Sequence, residues 1–404
     1  MRLTLGAGRG FVVLVLVLSL LLASCRTVQA PDGRIVVVPA LSDLYFPSVE
    51  GGYLLGSYSW LGEGLGSFGP FEAAIILALA WESGISLVDL LTGDVLYEYD
   101  GSTKGPILGV AAWSESPAGL DSAAYLYGYG LDGVTSLRYD GMGGALTPVE
   151  RGSSAVYDMF PAGGDLTSAI LTKVQPSVGL RFVLRLLAQD SPLNAPAGAA
   201  ADAQAPGVGW VVSDEVLPAG NFTGELVSAF LADDDLEEPA PVLVLTRGVI
   251  SRLYLDDRDG DAPVEAMQLG LDARKLRCVD TLSDAGWLCA VSVFGGDHLA
   301  VLNWDGQSVP VLRGTVTVGD GPVGIDLKLL GDGDVAIVST GFNDGTVTEV
   351  RVTNEGGPKA VEKRPVPAGC EGPGHALYFE DDDGLAIVGT CYTTGRYYVM
   401  RSAL

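Results

Sequence analysis

A short apolar strand recurs along this chain at an almost constant interval, and that repetition limits the fold more than any other feature of its 404 residues. The copies begin near Ala73 (AAIILALAW), Ala123 (AAYLYGYG), Ser168 (SAILTKV), Val242 (VLVLTRG), Leu288 (LCAVSVFGG), Val335 (VAIVSTG) and Leu385 (LAIVGTCY). Successive starts are 50, 45, 74, 46, 47 and 50 residues apart. The long interval contains the Ala/Pro-rich stretch DSPLNAPAGAAADAQAPG at 190–207, which reads as a surface loop inserted into one unit.

Each unit carries the same order of events. A first strand ends in an acidic or glycine turn, the continuous apolar strand follows, and a short turn leads to a third, more alternating strand such as SLVDL, RLYLD or EVRVT. Most units end with an edge strand, for example VLYEYD. A strand buried on both faces reads as an unbroken apolar run, whereas one with a wet face alternates. Four strands in a period of 40–50 residues predict an all-β fold, a seven-bladed β-propeller of four-stranded antiparallel blades over 33–404. The last unit has only three strands. GRIVVVPAL at 33–41 is the free candidate for the fourth, so the sequence predicts a ring closed by the N-terminal strand pairing into the C-terminal blade, which removes two open edges.

The first unit, ISLVDLLTGDVLYEYDG, places Val88, Asp89, Thr92 and Gly93 in the valine-aspartate-x-x-threonine-glycine order and resembles the YVTN-type, lactonase-like propeller repeat. The other six units match it in architecture and not in motif. Such repeats occur both in exported binding proteins and in lactonase-like enzymes, so the resemblance implies a fold and no single activity.

The N-terminus adds an address. Arg2 and Arg9 precede FVVLVLVLSLLLA, a run of secretory length that is short for a bilayer span, and the run closes on LASC at 22–25. This resembles the bacterial lipobox. It implies a signal peptide over 1–24, a lipid on Cys25, a tether over 25–32, and an extracytoplasmic protein of the bacterial cell envelope whose membrane partner is reached through that lipid. Four further cysteines remain, an even number in an exported chain. Cys278 and Cys289 flank a predicted hairpin that sets them opposite each other; Cys370 and Cys391 bracket the hairpin of HALYFEDDDGLAIVGT. Two local disulfides are expected.

With 50 acidic against 24 basic residues the net charge is −26, which argues against nucleic acid as a partner. A hydrophobic content of 48% argues for a folded chain, expected as a monomer, rather than an acidic disordered one. In a propeller the turns divide between two faces. One gathers acidic turns. The other gathers Lys104, Arg151, Arg247, Arg274, Lys275 and His298, with His375 entering the channel, and is the candidate binding face.

Asp257, Asp259 and Asp261 of DDRDGDAP alternate, so their carboxylates are a candidate calcium site. The glycine comes one position early for an EF-hand and the bidentate glutamate is missing, so an exposed acidic turn, with no cofactor, is the expectation. The chain has two histidines and carries neither a Gly-x-Ser-x-Gly elbow nor a His-Glu-x-x-His helix. The sequence therefore predicts a non-catalytic module that binds a protein or glycan. The alternative is a lactonase-like or other hydrolytic propeller with a carboxylate or metal site at the channel mouth.

Overall fold

The computed structural model describes strand backbones from Cys25 onward and, with side chains, 85–87 and most of 222–404, apart from 232–240, 258–261, 283–285, 382–383, 393–395 and the side chains of a few strand-end residues. Among these residues the chain is all-β. Its strands form six four-stranded antiparallel sheets, a three-stranded sheet and a two-stranded one. No described helix is long and apolar enough to cross a membrane. This succession of four-stranded antiparallel sheets is compatible with a propeller-like fold.

Every recurring apolar run is the second strand of its sheet. Ala73–Ala80, Ala124–Gly130 and Leu166–Val174 hold this place in sheets 1 to 3. Val242–Arg247, Trp287–Val293, Val335–Gly341 and Gly384–Cys391 hold it in sheets 4 to 7. The side chains show why these segments do not alternate. Cys289 and Val291 enter the core shared with sheet 4, while Leu288 and Ala290 enter the core shared with sheet 6. Val335 and Ile337 likewise face sheet 5, and Ala336 and Val338 face sheet 7. One strand thus feeds two cores, and each buried Val, Leu or Ile contributes about 1.5–3 kcal/mol of transfer free energy. Fourth strands sit at the outside. Val264–Gly270, Val311–Thr317 and Pro358–Pro365 carry mostly exposed side chains.

The first strands of sheets 4 to 7, Glu225–Leu231, Ala273–Asp280, Pro322–Leu329 and Pro373–Asp381, contact one another in that order and build an inner wall. Two close approaches fix this wall. A Cβ on Gly324 would stand 2.4 Å from Gly374 O and 2.8 Å from His375 Cα, so only glycine fits between these strands. Ser228 Oγ of sheet 4 and the backbone of Leu276 in sheet 5 are hydrogen-bonded in the same way across a sheet boundary.

Both expected cysteine pairs lie at disulfide distance. Cys278 stands directly opposite Cys289 in the hairpin of sheet 5, and Cys370 reaches Cys391 from the segment before sheet 7. The N-terminal strand differs from expectation. Ile35–Pro39 pairs with Cys25–Gln29 in the two-stranded sheet, and sheet 7 holds the three strands Pro373–Asp381, Gly384–Cys391 and Arg396–Arg401. Pairing of neighbours closes a loop of five residues, whereas joining sheet 7 brings together opposite ends of the chain.

Candidate functional site

A repeated local device shapes one face of sheets 5 to 7. The first strand of each is bulged near its start: the register shifts between Ala273 and Lys275, between Pro322 and Ile325, and between Pro373 and Ala376. A bulge leaves a backbone N–H without its ladder acceptor. A hydroxyl from the second strand accepts it each time. Lys275 N–H donates to Ser292 Oγ at 3.1 Å, Gly324 N–H to Thr340 Oγ1 at 3.0 Å, and His375 N–H to Thr390 Oγ1 at 3.0 Å. Two residues after each hydroxyl comes an aromatic residue whose own N–H closes the loop. Phe294 donates to Asp272 O at 3.0 Å, Phe342 to Gly321 O at 3.0 Å and Tyr392 to Gly372 O at 2.8 Å. The second-strand turns and the links between sheets therefore form one continuous surface, here called the connection face.

Three half-buried rings follow this face in sequence. Phe294 extends over Gly321 of the next sheet, where a Cβ would meet its ring at 2.8 Å. Phe342 and Tyr392 have their centroids 5.9 Å apart. Beside the rings are polar groups held in place: Asp297 Oδ1 accepts Gly321 N–H at 3.0 Å, and Asn343 Nδ2 donates to Asp320 Oδ1 at 2.8 Å.

Of the basic residues expected on a binding face, Arg247, Arg274, Lys275, His298 and His375 all belong to this one. Arg274, the residue inside the bulge of sheet 5, lies with its guanidinium carbon 4.8 Å above the Phe294 ring and donates to Asp272 Oδ2 at 2.7 Å. Arg247 approaches the other oxygen of Asp272 at 3.8 Å, so one carboxylate serves two arginines. An apolar ridge borders them, with Val249 91% and Leu271 55% exposed. His298 is turned inward to its own turn, Nδ1 standing 2.8 Å from Gly296 O, a geometry in which Nδ1 carries the proton. His375 stands on the first strand of sheet 7, next to Gly324 of sheet 6. Lys104 lies outside the described residues, and Arg151 is placed by its backbone alone, in Leu146–Gly152.

The inner wall below this face is polar. Leu276, Ile325 and Leu327 enter the cores, so the intervening Arg277 and Asp326 turn the other way, toward the wall and the following sheet. Asp326 Oδ2 accepts Tyr378 N–H at 2.7 Å. Burial drives its pKa up to about 6 against the opposing pull of that hydrogen bond, Arg277 and Lys328. On the opposite face the acidic turns are partly neutralised. Asp334 is held below the usual carboxylate range, first by Lys359 Nζ at 2.6 Å and then by Arg351 Nε at 2.8 Å; Arg351 also pairs with Asp332. Asp257 is exposed, and Asp259 and Asp261 lie outside the described residues. Among the described residues no three His, Cys, Asp or Glu side chains gather as metal ligands.

Sequence reasoning missed two features. The hydroxyl-x-aromatic pattern was present as Ser292-x-Phe294, Thr340-x-Phe342 and Thr390-x-Tyr392 at the end of successive apolar runs, and aligning those ends reveals it. Glu349 gave no such signal. It is fully buried in the third strand of sheet 6 and accepts Arg364 Nη2 at 2.5 Å, Ser402 Oγ at 2.5 Å and Ala403 N–H at 2.8 Å, tying the last residues to the neighbouring sheet.

No protein-family model matches this chain. No curated protein matches it either. Solved structures do. One is a functionally unknown protein from Desulfotomaculum acetoxidans DSM 771, 13% identical, with a TM-score of 0.51 over 79% of this chain and 89% of that one. At that identity the likeness is one of fold.

Proposed function

We propose that this chain is a lipid-anchored, extracytoplasmic seven-bladed propeller that binds a protein or glycan on its connection face and does no chemistry there. The observation that carries the reading is Arg274, stacked on Phe294 and braced by Asp272 beside the exposed Leu271 and Val249. A cation fixed in one orientation next to solvent-exposed apolar side chains is the composition of binding hot spots, because little side-chain freedom remains to be lost on association. The loops that carry these residues are anchored by the hydroxyl and backbone bonds of the bulges, so the surface is preorganised. Six four-stranded sheets followed by a three-stranded one support the seven-bladed count. Placement in the envelope rests on Arg2, Arg9, the apolar run and Cys25.

The test is recovery of a bound molecule. Full-length protein crosslinked in membranes and purified is expected to bring down one defined partner, and Leu271→Asp is expected to lose it while melting as the parent does. Recovery of nothing beyond lipid by the parent protein contradicts the reading.

A further inference from the structure

Basic residues are scarce in this chain, 24 against 50 acidic, yet Arg274, Lys275 and Arg277 fall within four residues of one first strand. Lys328 and His375 stand on the next two first strands. These first strands also carry Glu225, Asp280, Asp326, Glu380 and Asp381, so the positive charge is local: it gathers at Arg274 and Lys275, with Arg247 sharing Asp272, in a protein whose overall field repels anions. At the rim of this wall lie the three aromatic rings and the Asp320–Asn343 and Asp297 groups of the connection face.

We propose that this rim binds an acidic glycan, with a sugar carboxylate held by Arg274 and Lys275 and the sugar rings laid against Phe294, Phe342 and Tyr392. Guanidinium and ammonium groups bind carboxylates through charge-assisted hydrogen bonds, and Arg274 is already oriented by Phe294 and Asp272. The three rings recur at one position in successive sheets, so they offer a series of apolar platforms along an arc rather than a single pocket. Sugars, with one face of C–H groups and a periphery of hydroxyls, suit such an arc: the rings take the C–H faces, and the fixed carboxylate and amide groups of Asp297, Asp320 and Asn343 take hydroxyls. The inference rests on the connection face being the binding surface and adds the class of ligand.

Titration of the purified mature protein with a galacturonate oligomer, a neutral glucose oligomer of the same length and a polyglutamate peptide tests it. The uronate oligomer is expected to bind, to bind more weakly as salt is raised, and to raise the melting temperature. The neutral oligomer and the peptide are expected to bind far less. Arg274→Gln is expected to weaken uronate binding roughly 10- to 100-fold, the range for loss of a charged hydrogen bond. Because Arg274 also braces Asp272, Lys275→Gln serves as an independent variant expected to weaken binding with an unchanged melting temperature, and Phe342→Ala, which also loses its packing on Tyr392, is expected to weaken binding at temperatures well below its own melting transition. Equal binding of the neutral oligomer, preference for polyglutamate, or uronate affinity indifferent to all three variants overturns the acidic-glycan site. Failure to bind any uronate, in a protein that still recovers a partner lost by Leu271→Asp, overturns the glycan class and leaves the binding face standing.

Discussion

Two buried carboxylates make opposite demands on pH. Asp326 has a pKa of about 6 against an ordinary 3.8, so the folded chain holds its proton more tightly than the unfolded one. The stability tied to that proton is fully present below about 3.8 and is lost as pH rises through about 6. The span of about two units corresponds to about 3 kcal/mol. Asp326→Asn, which keeps an oxygen for Tyr378 N–H, is expected to match the parent in urea at low pH and to exceed it above the folded pKa; parallel curves at every pH contradict this. Asp334 behaves in the reverse sense: with its pKa depressed by Lys359 and Arg351, its contribution is present above the ordinary value and disappears as pH falls below it. Glu349 is a third case. Removing its buried carboxylate takes the acceptor from Ser402 Oγ, Ala403 N–H and the half-buried Arg364, and Glu349→Ala is expected to cost about 1–3 kcal/mol, read from chemical denaturation. None of these acids was distinguishable in the sequence from the many aspartates and glutamates in turns. What singles them out is a partner far along the chain: Tyr378 for Asp326, and Ser402 and Ala403 for Glu349.

The strands themselves were far more legible. Burial on both faces forces a continuous apolar run, so VAIVSTG and LAIVGTCY disclosed second strands from composition alone. Ile337→Ala, which opens a void in the core between sheets 5 and 6, is expected to destabilise by about 2–5 kcal/mol. The hairpin of sheet 5 was legible for the same local reason, its turn setting Cys278 against Cys289. Long-range pairing was not. IVVVP is an apolar strand by any reading, but nothing in five residues names its neighbour, and the structure gives it Cys25–Gln29 instead of sheet 7. The bulges escaped notice for a related reason: they show as a register offset between two strands, which a single strand's sequence does not contain. Only their satisfied hydroxyls, Ser292, Thr340 and Thr390, left a trace.

At the scale of the whole molecule, the proposed function requires a lipid anchor on Cys25 and a ligand-facing surface. Replacing Cys25 by serine is expected to release the chain from the membrane fraction with its melting temperature unchanged, since the proposed lipid would contribute attachment and not packing. Retention of Cys25→Ser in membranes would contradict a lipid anchor. The candidate site was half legible in this sense: the sequence assigned Arg247, Arg274, Lys275, His298 and His375 to one face from turn order alone, whereas the contacts that distinguish them, His298 bonded to its own turn and three aromatic residues closing successive turns, come from pairing between segments. The proposed function requires that the connection face, and not the opposite one, meets the ligand. A photo-crosslinking residue at Leu271 on the connection face and another at Leu282 on the opposite face, where the side chain is 80% exposed, put that to a single comparison in intact membranes. The account predicts one defined adduct from position 271 and none from 282; the same adduct from both positions, or from 282 alone, would contradict it.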